Sequence, residues 1–102
     1  MQANRVSLGG EIIEIGVLRH TPAGLPVLNF RVAHVSQQVE AGAKRQVQCA
    51  VPVMAIGEPA QAGLKLKIGD QVALQGFLSR RGLNSPQLVL HVNTIELIEE
   101  KG

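Results

Sequence analysis

The sequence predicts an all-β chain folded as one small five-stranded barrel. Three observations predict it. Five short runs alternate apolar and polar residues with period two, and the breaks between them collect Gly, Pro, Asn and Ser. No segment shows the periodicity of an amphipathic helix. The chain of 102 residues makes a single domain, 1–102, large enough to bury roughly two-thirds of its unfolded surface without staples. Five strands at this length point to a barrel rather than an open sheet.

The elements follow in order. In 5-RVSLGGEI, Val6, Leu8 and Ile12 share one face, and Gly9-Gly10 permits a bulge or a sharp coil. In 28-LNFRVAH, Leu28, Phe30 and Val32 oppose Asn29, Arg31 and Ala33. In 46-QVQCAV, Val47, Cys49 and Val51 oppose Gln46, Gln48 and Ala50. The segment 54-MAIGEPAQAGLKLKIGD carries Gly57, Pro59 and Gly63, so it supports one helical turn at most. Gly69-Asp70 then turns the chain into 71-QVALQGFLS, where Val72, Leu74, Gly76 and Leu78 share a face. The last strand, 87-QLVLHVNTIELI, places Leu88, Leu90 and Val92 in phase, then slips at Asn93-Thr94 to Ile95 and Leu97. That slip predicts a bulge. The connections are 17-VLRHTPAGLP, 36-SQQVEAGAKR and 80-RRGLNSP.

Composition narrows the function. A hydrophobic fraction of 45% with 18% charged residues suits a soluble globular chain. No apolar run approaches the ~20 residues of a membrane span, and MQANRVSLGG has no apolar leader core, so the expected place is the cytoplasm with no membrane partner. The lone Cys49 excludes an internal disulfide, suits a reducing compartment and reads as a buried, inert thiol. His20, His34 and His91 with one cysteine do not complete a zinc set, so His34 and His91 read as strand residues hydrogen-bonded in the sheet. There is no phosphate-cradling glycine loop, and Glu11 and Glu14 read as solvent-facing strand residues. The chain is expected to be no enzyme and to need no cofactor or metal.

Charge points elsewhere. Residues 1–95 hold nine Lys/Arg against five Asp/Glu, while Glu96, Glu99 and Glu100 close the chain as the end of a strand with a solvated tail. A basic body hints at an anionic partner. Each of the three connections named above carries an adjacent pair: Arg19-His20, Lys44-Arg45 and Arg80-Arg81. Converging on one side of a barrel, such pairs would frame a groove for a phosphate backbone, with Arg31, Gln46 and Gln48 lining the sheet between them. Phe77 sits out of phase with the apolar face of its strand. It reads as a stacking surface, a subunit contact or core under a barrel corner.

The order 4-NRVSLGG, 19-RHTPAGLPVLNF, 67-KIGDQVALQGFL resembles the bacterial single-stranded DNA-binding proteins built on the OB-fold. The tracts 41-AGAKRQVQC, 74-LQGFLS and 95-IELIE resemble the primosomal branch of that family in particular. The resemblance runs over nearly the whole chain. It implies a homodimeric OB barrel without catalytic activity that binds single-stranded DNA in replication restart. The implied partners are the restart helicase PriA and the primosomal protein DnaT. The candidate DNA-binding residues are Arg19, Arg31, Lys44, Arg45, Gln48, Arg80 and Arg81. Against the family pattern, a lysine expected near the far end of the last hairpin falls at Gln87, and two aromatic positions of the DNA surface fall at Ala43 and Gln48. With no Trp, no Tyr and only two Phe, binding should be dominated by phosphate contacts. Two other roles for the same fold stay open: a helicase adaptor with vestigial DNA binding, and an RNA-binding protein.

Overall fold

The computed structural model describes residues 2–99. Its elements are β1 (Val6–Ile15), β2 (Arg19–His20), β3 (Pro26–Glu40), β4 (Ala43–Ile56), α1 (Glu58–Gly63), β5 (Gln71–Gly82) and β6 (Ser85–Ile98). The sheet order β1-β5-β6-β4-β3-β2 closes on itself through a β1–β3 pairing. The five long strands therefore make a closed barrel, and the two-residue β2 lies against the outer edge of β3. Closure removes most of the unpaired backbone that an open sheet would leave at its edges. No described helix is long and apolar enough to cross a membrane.

The inward positions are those that alternation predicts. Leu28, Phe30 and Val32 from β3 and Val72 and Leu74 from β5 are buried, and they meet Ile12, Val53, Leu90 and Val92. Ala60 and Leu66 join them from α1 and the segment after it, covering the barrel. No polar or charged side chain is buried among the described residues. The core is apolar throughout, so the barrel's interior holds by packing, with the backbone ladder around it.

Bulges steer the strands. β5 pairs β6 through Gln75↔Thr94 and then Gly76↔Val92, leaving Asn93 as the extra residue. The slip read at Asn93-Thr94 is this bulge. In β1 the irregularity lies between Ile12 and Glu14, not at Gly9-Gly10, whose partners Ala73 and Val72 keep regular register. Gly10 serves the coil instead. A Cβ there would stand 2.7 Å from the Ala33 carbonyl oxygen, where β1 leaves β5 and closes on β3. The slip at Ile13 was legible: Ile12, Ile13 and Ile15 break a strict alternation.

Four other expectations are corrected. The helix is longer than a single turn, with six residues, because Pro59 stands at its first positions where no N–H is needed. β4 does not stop at Val51 but runs through Pro52 to Ile56. Its second edge pairs with β6 only at Val53 and Met54, and such an edge tolerates proline. The segment 36-SQQVEAGAKR is strand on both sides of a two-residue turn, Ala41-Gly42, with φ of 53° and 78°. Positive φ at both central residues is the hairpin turn that matches strand twist. β1 covers β3 only as far as Ala33, so residues 34–40 and their β4 partners project as a two-stranded arm. Cys49 belongs to that arm and is exposed rather than buried. Its face has the parity of the core, but no core extends beneath it.

Candidate nucleic-acid interface

An open groove of about 720 Å³ runs over the outer surface of the barrel, bordered by Glu14, Arg19, Arg31, Pro52, Met54 and Arg81. Arg19 reaches it because β2 pairs with β3 through Arg19↔Val27. A tight turn sets that pairing: the Thr21 N–H donates to Leu25 O, and the Leu25 N–H donates to Thr21 Oγ1. Arg31 stands on β3 opposite Pro52, and Arg81 comes from the far end of β5. Arg81 Nη1 donates to Gln87 Oε1 at 3.2 Å, which holds the guanidinium beside its own hairpin.

The sheet face that carries Arg31 continues beyond the groove along the arm. Residues facing each other on paired strands share a side of the sheet. Arg31↔Pro52, Val35↔Gln48, Gln37↔Gln46 and Val39↔Lys44 therefore line one face in a row. Arg31, Gln48, Gln46 and Lys44 follow one another from the barrel to the arm's tip. Arg45 lies on the opposite face beside Gln38, and its Nη1 holds Glu40 Oε1 at 2.7 Å.

Of the seven candidate residues, Arg19, Arg31 and Arg81 meet at the groove, and Gln48 and Lys44 extend its face. Arg45 and Arg80 do not join them. Arg80 is opposite Leu88 and donates to the Leu83 carbonyl at 3.4 Å, outside the groove lining. None of the three basic pairs sits in a loop. Arg19-His20 is β2 itself, Lys44-Arg45 lies in β4 and Arg80-Arg81 in β5, whose hairpin turns on Leu83-Asn84 alone. Placement in strands separates neighbours, since successive side chains point to opposite faces. A loop would have left both members of each pair free to face one ligand.

Sequence reasoning missed Glu14. The bulge at Ile13 sets it opposite Arg31, with Oε2 3.6 Å from Nε. Both side chains are solvated, at 38% and 69% exposure for Arg31 and Glu14, so the pair contributes at most about 1 kcal/mol. Its carboxylate nonetheless lines the groove beside Arg31. Glu11, by contrast, faces Gln71.

His34 Nδ1 donates to the Gly9 carbonyl at 2.6 Å, and Nε2 lies 2.8 Å from Ser36 Oγ, tying β3 to β1. Phe77 is on the outer face at 38% exposure, which removes the core reading, and its ring stacks on His91. Ala43 and Gln48 are exposed and offer no ring. Among the described residues no group of three His, Cys, Asp or Glu could hold a metal. Glu96 and Glu99 are exposed, and Glu100 lies outside the described residues.

A closed five-stranded barrel capped by a short helix, with a basic outer groove, defines the OB-fold class of single-strand binding proteins. Residues 4–94 match the profile of a family described as another single-strand binding protein family. The wild-type single-stranded DNA binding protein from Thermus aquaticus superposes with a TM-score of 0.75 at 25% identity, over 97% of this chain and 52% of that one. More specific relatives lie nearer. Replication restart protein PriB of Erwinia tasmaniensis is 41% identical, with 97% of each chain covered, and PriB of Nitrosomonas europaea is 36% identical over 93% of this chain and 88% of its own. The PriB structure from Ralstonia solanacearum has a TM-score of 0.89 at 30% identity, covering 96% of this chain and all (100%) of that one. The chain belongs to the PriB family of replication restart proteins.

Proposed function

We propose that the protein binds single-stranded DNA along the groove and the arm face, as an accessory protein of replication restart. The observation that carries this reading is the convergence of Arg19, Arg31 and Arg81 from three different strands on one open groove. Such a cluster neutralises successive phosphates and releases their counterions. Gln46 and Gln48 then supply hydrogen bonds between the groove and Lys44 at the arm's tip. The protein's proposed task is to hold the strand while the restart helicase PriA is stimulated and DnaT is recruited.

Fluorescence anisotropy of a labelled oligonucleotide, titrated over a salt series, tests the DNA half of this proposal. With about four phosphates neutralised, log K should fall with log[salt] at a slope near −3. Absence of binding at low salt would end it. A second reading, an adaptor whose DNA grip is vestigial, draws on the missing rings at Ala43 and Gln48. It expects helicase binding to survive substitutions that abolish DNA binding.

A homodimer fits the topology. β1 pairs β5 through Val6–Glu11 on one side, but meets β3 on the other side only from Glu11 onward. Apart from the Gly9 carbonyl, which accepts from His34 Nδ1, the outer edge of residues 6–10 has no strand partner and can pair with its copy across a two-fold axis. A monomer mass by sedimentation equilibrium at micromolar concentration would remove that proposal.

A further inference from the structure

The chain has two aromatic side chains of the Phe, Tyr and Trp kind, and Phe30 is spent on the core at 3% exposure. Phe77 is the other. It faces His91 directly across the β5–β6 pair, and the two rings stack with centroids 5.2 Å apart and planes 10° from parallel. One face of Phe77 is taken by the imidazole, so its exposure lies on the opposite face and the ring edges. His91 is paired in turn with Met54, and Met54 with Asn29. Paired residues share a side of the sheet, so Phe77, His91, Met54 and Asn29 form one row across the outer barrel. The row runs into the basic groove, because Met54 and Asn29 are part of the groove's lining.

Resting on the DNA-binding reading above, we infer that Phe77, backed by His91, is a base-stacking subsite for a strand whose phosphates follow Arg31 and Arg81. An unpaired nucleobase offers a flat π-face to any exposed ring, whatever its identity. The imidazole holds the phenyl in place before binding, so little side-chain freedom is lost when a base arrives. Met54 continues the surface toward the groove as a polarizable contact. The ring lacking at Gln48 on the outer face of β3–β4 is thereby replaced on the β5–β6 part of that outer surface, while Ala43 lies on the opposite face of the arm. The path of the strand must cross the barrel rather than follow the arm alone.

The test uses two probes of equal length, a thymidine oligomer and an abasic strand that keeps the phosphates but has no bases. Phe77→Leu preserves an apolar side chain and removes the π-face. It should weaken binding of the thymidine oligomer roughly 5- to 150-fold with an unchanged salt slope. It should leave the abasic strand unaffected. Phe77→Tyr, which keeps the ring, should restore thymidine binding, and this rescue separates stacking from a packing defect. Equal loss on both probes, or no loss on the thymidine oligomer, overturns the subsite while leaving the DNA reading intact. Failure of the wild type to bind either strand overturns both.

Glu14 carries a consequence independent of that row. The bulge at Ile13 brings its carboxylate into the groove against Arg31. We infer that Glu14 competes with phosphate for Arg31 and so lowers the grip of the groove on its ligand. Glu14→Gln should tighten single-stranded DNA roughly 2- to 5-fold at low salt. The salt slope should steepen by about 0.7, the share of one added phosphate. Glu11→Gln removes the same charge from the same strand outside the groove and is the control. Equal tightening by both variants, or none by Glu14→Gln, overturns the competition.

Discussion

Gly76→Ala is expected to destabilise the barrel by about 3 kcal/mol or more, a cost at the upper end of what overpacking produces. A Cβ at position 76 would collide with the His91 carbonyl oxygen and stand 2.8 Å from the Val92 Cα. Both neighbours are backbone, so no rotamer change relieves the clash. Relief requires β5 to move away from β6, and Leu74, Leu90 and Val92 would lose their contacts at that point. For a domain of about this size such a loss lowers the melting temperature by roughly 12 °C or more. Gly82→Ala is the matched control: a Cβ there meets nothing within 4 Å, and its stability should change by less than about 0.5 kcal/mol. Thermal denaturation of both variants checks the pair. A Gly76→Ala protein that melts with the wild type would mean that the Asn93 bulge can slide to make room.

The double substitution Arg31→Ala/Arg81→Ala is expected to have the largest effect on the proposed DNA binding. At about 50 mM salt each phosphate neutralised on a single strand contributes nearly one decade of affinity through counterion release. Removing two should weaken binding roughly 50- to 100-fold and bring the salt slope from near −3 to near −1.4. Arg45→Ala and Arg80→Ala remove the same charge. Their side chains lie on the far side of the arm and outside the groove lining, so each should change affinity by less than about 3-fold. Similar losses in all of these variants would mean that net charge, not the groove, governs binding.

The contrast between Arg80 and Arg81 marks what the sequence could reveal. Alternation named Leu28, Phe30 and Val32 of β3 and Val72 and Leu74 of β5 correctly, because a strand with one buried face must repeat every second residue, but Leu78, in the same phase on β5, is exposed past the end of the core. The phase slip near Asn93 was readable for the same reason. The arm was not. Gln37, Gln38, Gln46 and Gln48 lie on a ribbon wetted on both faces, so no apolar period distinguishes them from a loop. Cys49 was misjudged by the same route, since alternation gives a side chain's phase and not the extent of the core beneath it. The groove shows the remaining gap. Basic residues could be counted, but which of two adjacent arginines faces the groove depends on register across β5 and β6. Glu14 entered the site through a single extra residue in β1.

The Ala41-Gly42 turn also orders events in time. β3 and β4 pair residue by residue outward from that turn, from Glu40↔Ala43 to Val27↔Ile56. Each step closes a loop scarcely larger than the last, and hairpins of this kind form in roughly 1–10 μs. The β1–β3 ladder joins Ile15 to Phe30 and Glu11 to Ala33. β1–β5 must instead bring Val6 to Gly76 across most of the chain, an entropic loss that only the finished core repays. The ribbon that projects from the barrel is thus, with the β5–β6 hairpin, among the parts that assemble from the most local contacts. Closure against β5 is left as the slow event in refolding.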